Sequence, residues 1–206
     1  MLTSSHASEG KSFTSITLCR KLAERGKRVV LVDTDLRRSM ITTVYGVQFA
    51  PGSKKQGLSH YLAGIAEKEE VLFHTNVPGM DFIPMGHELL NPIPLLSSER
   101  FQNLLDGLAE QYDYVIVDAA PVGMVIDAAE IAKVCDGILL VVSYNQVHRQ
   151  ELIDAKNQLE QTGCPILGTI LNQVDYEGFA NKKYYYKSHY SSYYKAYEKE
   201  AEEKKS

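Results

Sequence analysis

Cysteine is scarce in this chain of 206 residues: there are three, Cys19, Cys135 and Cys164, an odd number and widely spaced. That excludes a disulfide framework or a cysteine zinc site and suits a reducing compartment. The six histidines show no metal-ligand spacing. No apolar run is long enough to span a bilayer and no leader pattern is visible, so any link to a membrane is expected to come through another protein. A surplus of one charge is also lacking. The net charge of −4 is mild and argues against nucleic acid as the main partner. What remains is ordinary apolar content and enough length to bury a sizeable core, in one α/β domain or one domain plus a tail.

The most informative stretch sits almost at the start: Ser5-His6-Ala7-Ser8-Glu9-Gly10-Lys11-Ser12. Gly-Lys-Ser is the back half of a phosphate-binding loop. Glycine lets the backbone approach phosphate oxygens, and successive N–H groups and a helix N-terminus then face the anion. Lys11 is placed to reach the outer phosphates and the Ser12 hydroxyl to hold Mg²⁺. Ser5 stands where the motif normally has its first glycine, so the loop alone also fits a helix start with no ligand. Such a loop normally follows a buried strand. Only Met1-Leu2-Thr3 precede it here, so that strand is expected to be cut short, as in a fragment or a chain with a late assigned start.

Strands and helices then alternate. Phe13, Ile16, Cys19, Leu22 and Ala23 recur at helical spacing, and Gly26 terminates the helix. Val29-Val30-Leu31-Val32 reads as a strand buried on both faces and ends in Asp33-Thr34-Asp35-Leu36-Arg37-Arg38. Carboxylates at the carboxyl end of a parallel strand lie where such sheets hold ligands; the alternative is a polar turn capping the next helix. Residues 39–77 read as short helices and loops, with Leu58, Tyr61 and Leu62 in the core, and Met80 to Pro84 as a short strand. Leu95, Leu96, Phe101, Leu104, Leu105 and Leu108 predict one long amphipathic helix. Tyr114-Val115-Ile116-Val117-Asp118 is an apolar strand ending in an acid, the second Mg²⁺-side element of nucleotide-binding folds. A short helix from Asp127, a strand at 137–142, a helix at 151–162 and a strand at 165–172 complete a mostly parallel sheet flanked by helices, a P-loop NTPase-like α/β fold with right-handed crossovers. We place this domain at residues 1–178.

Residues 179–206 differ in character. Tyr184, Tyr185, Tyr186, Tyr190, Tyr193, Tyr194 and Tyr197 hold seven of the chain's thirteen tyrosines, among Lys and Ser, with no apolar period. A charged run, Glu198 to Lys205, follows. The expectation is a disordered, solvated, Tyr-rich tail. Stacking on bases is the competing use of such a segment, but it lacks the Arg or Gly repeats typical of that role.

Taken together, the Ser5–Ser12 loop, Val-Val-Leu-Val-Asp-Thr-Asp-Leu-Arg-Arg, Tyr-Asp-Tyr-Val-Ile-Val-Asp with Pro121-Val122 and Asp127-Ala128 after it, and the terminal tyrosine cluster resemble the bacterial tyrosine kinases of capsule and exopolysaccharide synthesis. Gly57 to Gly64 and Asn91-Pro92 fit as well, so the resemblance covers nearly the whole chain. It implies ATP and Mg²⁺ as cofactors. Ser8, Glu9, Gly10, Lys11, Ser12 and Phe13 would form the nucleotide loop, with Asn172 facing the base. Ser12, Asp35 and Asp118 would hold the metal, Lys11 would act on the phosphates, and Asp33 would be the base for an incoming tyrosine hydroxyl. That hydroxyl has a pKa of about 10 and is a poor nucleophile unless a carboxylate and a metal assist it. The seven tail tyrosines would be phosphorylated in trans by neighbouring copies in a ring. The resemblance further implies a membrane activator of polysaccharide export, substrates among proteins of sugar-nucleotide metabolism, and a cytoplasmic protein recruited to the inner face of the membrane.

Three departures stand out. Ala7-Ser8 replaces the usual Pro-Gly, so Ser8 must take a backbone geometry that glycine adopts freely. The family's amino-terminal helix with a Glu and two Arg, which joins the ring, is not in this sequence. The first strand is short. Two other readings remain open on sequence alone. One is an ATPase of the partitioning or cell-division-positioning type, which carries Lys where this chain has His6 and lacks a tyrosine cluster. The other is a degenerate nucleotide-binding module that only docks.

Overall fold

The computed structural model describes residues 1–44, 49 and 55–174. Contacts group Met1–Gln173 as one unit and Val174–Ser206 as another. The tail tyrosines Tyr184 to Tyr197 lie outside the described residues, as do residues 175–178 at the end of the expected domain.

The elements run β1 (Leu2–Ser4), α1 (Lys11–Glu24), β2 (Val29–Asp33), α2 (Ile41–Val44), α3 (Leu58–Leu62), α4 (Lys68–Val71), β3 (Phe73–His74) and β4 (Met80–Ile83). They continue with α5 (Ile93–Leu96), α6 (Glu99–Ala109), β5 (Tyr114–Asp118), α7 (Asp127–Ala132), β6 (Ile138–Ser143), α8 (Arg149–Glu160) and β7 (Ile166–Asn172). Among the described residues seven strands form one sheet in the order β3-β4-β2-β5-β1-β6-β7. All pairings are parallel except that of β3 with β4.

Apolar runs become central strands because both sheet faces are covered. All five residues of β2 are buried, and they alternate between two cores. Val30 and Val32 join the cluster that includes Phe101, Leu104, Leu108 and Ile131, while Val29 and Leu31 join Cys19 and Ala23 of α1. β1 has three residues, all buried, and pairs with β5 on one side and β6 on the other. The loop that follows therefore leaves the middle of the sheet.

Two expectations need correction, and one residue needs placing. The long helix through Leu95 and Leu108 is two helices, α5 and α6. The five-residue gap from Leu96 to Phe101 already breaks the helical spacing, and Ser98 there adopts an extended backbone and its side chain accepts from the Phe101 N–H, starting α6 afresh. Phe13 shares the helical spacing of the buried residues of α1 but does not join the core, in keeping with its expected place in the nucleotide loop. It is 54% exposed, because the first turn of α1 stands at the open end of the sheet and only Lys11, Ser12, Ser15, Cys19 and Ala23 of that helix are buried. Finally, the two-residue antiparallel strand β3 lies within the segment read as short helices and loops.

Candidate nucleotide site

At the carboxyl edge of the sheet, β1, β2 and β5 end side by side, and Asp33 and Asp118 are register partners. The loop from Ser5 to Gly10 rises from β1 and turns into α1. Two residues of this loop have positive φ, Ser8 at 67° and Gly10 at 86°. Ser8 thus takes the left-handed backbone expected from its place in the loop. Gly10 is required for a second reason, since a side chain there would run into the Asn172 amide. α1 starts with no side-chain cap, which leaves its first N–H groups to be met from outside the helix.

The loop is braced from within the sheet. Glu9 is 2% exposed. One carboxylate oxygen accepts from the Ser5 hydroxyl (2.8 Å) and the His6 N–H (2.6 Å), and the other from the Ser143 N–H at the end of β6 (3.0 Å). The Asn172 amide donates to the Glu9 carbonyl (2.8 Å) and the Gln173 amide to the Ser8 carbonyl (3.0 Å). Glu9 and Asn172, both expected to bind nucleotide, therefore hold the loop in shape. Asn172 in addition lines the cavity; the Glu9 side chain does not reach it.

Lys11 and Ser12 meet the acids. The Ser12 hydroxyl donates to Asp118 Oδ2 (2.6 Å), and Lys11 Nζ lies 3.3 Å from Asp35 Oδ2 and 3.4 Å from Asp118 Oδ2. Ser15, one turn on, donates to Asp118 Oδ1 (2.9 Å) and to its own helix at the Lys11 carbonyl. Burial pulls the Lys11 pKa down, but the charges of Asp118, Asp35 and Asp33 outweigh it and the net shift is upward. Asp33 is fully buried. Its Oδ2 accepts the Ser39 hydroxyl and its Oδ1 the Asp35 N–H (3.3 Å). Burial first, and the neighbouring Asp118 charge second, push the Asp33 carboxyl up to about 8.

A cavity of about 660 Å³ opens beside this cluster. Ala7, Ser8, Gly10, Lys11, Ser12 and Phe13 line one wall; Asp35, Arg37, Arg38 and Met40 line another; residues 120, 121, 124 and 125 after β5, with Asn172 and Gln173, close the rest. Asp33 and Asp118 lie behind this lining. Arg37 grips Asp127 with two nitrogens (2.6 and 3.0 Å) and donates to the Leu90 carbonyl (2.8 Å), tying the loop after β2 to the start of α7.

Among the described residues, no three His, Cys, Asp or Glu side chains form a ready-made metal cage. Magnesium does not ask for one: it takes one or two carboxylates, with phosphates and water supplying the rest. Asp35, Asp118 and the Ser12 hydroxyl are oxygen donors of that kind, and the Lys11 ammonium between the two carboxylates marks where positive charge is demanded. The residues present fit the metal. Ser15, Ser39, Ser143 and Gln173 had no motif to announce them. Asp127 was visible only as part of a segment with no role attached.

A glycine-lysine-serine loop at the end of a central parallel strand, with two acid-ended strands, β5 and then β2, on one side of it, defines a P-loop nucleotide-binding protein. The family profile described as "AAA domain" matches residues 6–163. The chain is 39% identical over 174 residues to the tyrosine-protein kinase CpsD of Streptococcus agalactiae serotype III, covering 84% of this chain and 73% of that protein. The solved kinase domain of the Escherichia coli tyrosine kinase ETK superposes with a TM-score of 0.79 at 34% identity, over 93% of this chain and 70% of that one. The chain belongs to the bacterial tyrosine kinases. The septum site-determining protein MinD of Pyrococcus horikoshii, solved with Mg-ADP, aligns with a TM-score of 0.66 at 22% identity, over 82% of this chain and 68% of that one, a likeness of fold alone.

Proposed function

We propose that this chain is an ATP- and Mg²⁺-dependent protein-tyrosine kinase serving capsule or exopolysaccharide synthesis. It modifies the tyrosines of its own carboxyl-terminal cluster in trans between copies. The observation that carries this reading is the convergence of Lys11 and Ser12 with Asp35 and Asp118 beside a cavity walled by the phosphate loop.

In this reading the loop backbone and Lys11 hold the phosphates, and Ser12, Asp35 and Asp118 hold Mg²⁺. The bound metal supplies charge neutralisation on the transferring phosphoryl group. Asp33, in its ionised form and once reached from the cavity, takes the tyrosine proton as the hydroxyl oxygen bonds to the γ-phosphorus and the bond to the ADP oxygen breaks; with its carboxyl pushed up to about 8, that form gains as pH rises. For that, the Ser39 hydroxyl must give way from Asp33. The remaining work is positioning, which the braced loop and the Arg37–Asp127 fork favour.

Among the described residues no helix is long and apolar enough to cross a membrane. The proposal places the protein in the cytoplasm, at the inner face of the membrane, through an activator protein of polysaccharide export. Its other substrates are proteins of sugar-nucleotide metabolism, and nucleic acid is not a partner. A titration with Mg-ATP, followed by turnover of the bound nucleotide, tests the enzymatic reading. Binding followed by phosphoryl transfer to tyrosine supports it. Tight binding with no transfer, activator segment included, replaces it with a docking module.

A further inference from the structure

Among the described residues three non-glycine residues have positive φ: Ser8 at 67°, Asn145 at 57° and Gln173 at 55°. Two of them touch. Gln173 Nε2 donates to the Ser8 carbonyl at 3.0 Å. The other end of the same amide is fixed, since Gln173 Oε1 accepts the Ser143 hydroxyl at 2.5 Å. Ser143 is 1% exposed, and its N–H goes to Glu9. A side-chain amide with one end held by a hydroxyl presents its N–H₂ to whatever lies opposite. Here that is the strained residue of the phosphate loop.

The backbone of Gln173 explains how it gets there. Along a strand, successive side chains point to opposite faces. Asn172 ends β7 in register with Ser143, so a continuing strand would send residue 173 away from the loop. The left-handed turn at Gln173 breaks the alternation. Asn172 and Gln173 then donate to consecutive loop carbonyls, those of Glu9 and Ser8. Non-glycine residues in the left-handed region persist only where their surroundings over-determine them. Ser8 is exposed on its own, so the over-determination comes from these partners.

We propose that Gln173, aimed by Ser143, is a positioning residue that holds Ser8 in its left-handed conformation and so keeps the phosphate loop shaped for its anion. The inference rests on the nucleotide reading above and adds to it a residue that acts through the loop backbone.

The test is a four-protein cycle on the full chain: wild type, Gln173→Leu, Ser8→Gly and the double variant, each titrated calorimetrically with Mg-ADP. Gln173→Leu weakens binding by about two- to fivefold, the range for one partly exposed neutral hydrogen bond. Glycine adopts the left-handed region freely, so in the Ser8→Gly background the same change has little effect. Gln173→Glu keeps the shape but cannot donate to the Ser8 carbonyl, and it loses at least as much as Gln173→Leu. Unchanged binding in Gln173→Leu, or an equal loss in both backgrounds, overturns the inference while leaving the nucleotide site intact. A wild type that binds no Mg-ADP overturns the nucleotide reading itself and the inference with it.

Discussion

The hydroxyl of Ser12 donates to Oδ2 of Asp118 at 2.6 Å, joining the phosphate loop to the end of a strand 106 residues away in the sequence. Ser15 holds the other oxygen of the same carboxylate, and Lys11 bridges it to Asp35. Asp118 is thus fixed from three sides, and its charge is the point on which the site turns.

Replacing Asp118 with Asn separates charge from shape. The amide still offers an oxygen to Ser12 or Ser15, and Lys11 keeps Asp35. Repulsion with Asp33, its register partner, is relieved. The unliganded Asp118→Asn protein therefore melts within a few degrees of wild type, while kinase activity falls by about 10- to 100-fold or more because a metal-side carboxylate is gone. Thermal melts with and without Mg-nucleotide check this: the stabilisation by ligand disappears although the fold does not.

Gly10→Ala tests the tight passage of the loop. The new methyl group meets the Asn172 amide, which must swing away and release the Glu9 carbonyl. Lost hydrogen bonding and a left-handed alanine together cost about 2 kcal/mol. Gly26→Ala is the comparison, since Gly26 also has positive φ, 77°, with nothing within 4 Å of the added carbon. Urea unfolding of the two variants should show the larger loss at Gly10, and loss of nucleotide binding only there.

Arg37→Lys keeps the charge but removes the fork. Asp127, whose side chain is 1% exposed, then has one contact where it had two, and the Leu90 carbonyl loses its donor. The expected cost is about 1–2 kcal/mol, read as a lower urea midpoint with unchanged slope. Activity falls further than stability because Asp35 and Arg37 share one loop beside the cavity.

Much of this arrangement was legible in the sequence because central parallel strands are apolar on both faces. Val29–Val32 and Tyr114–Asp118 announce themselves as runs, and their terminal acids mark the ligand edge. What stayed hidden depends on tertiary contacts. β3 is two residues long and carries no period. The break between α5 and α6 was the exception: the five-residue gap from Leu96 to Phe101 was open to reading in the sequence. Phe13 keeps helical spacing with the core residues but sits beyond the end of the sheet. Ser39, Ser143 and Gln173 are ordinary polar residues in sequence, and only the fold brings them to Asp33, Glu9 and Ser8.

Changing Tyr184, Tyr185, Tyr186, Tyr190, Tyr193, Tyr194 and Tyr197 together to Phe removes most self-phosphorylation and leaves Mg-ATP affinity unaltered, since the described cavity lining already supplies the phosphate loop and Asp35. Peptide mapping by tandem mass spectrometry decides: modification concentrated at other tyrosines would rule out the cluster as the main acceptor.

The most direct measurement is phosphotyrosine stoichiometry after incubation with Mg-ATP and an activator segment, for wild type and Lys11→Met side by side. Among the described residues Lys11 is the one side chain that pairs with both Asp35 and Asp118. Its removal leaves buried carboxylates uncompensated, at a cost of about 3 kcal/mol, so circular dichroism must accompany the assay. The account predicts label on the wild-type tail and none on a folded Lys11→Met protein. No label on wild type, or equal label on both with contaminating kinases excluded, would contradict it.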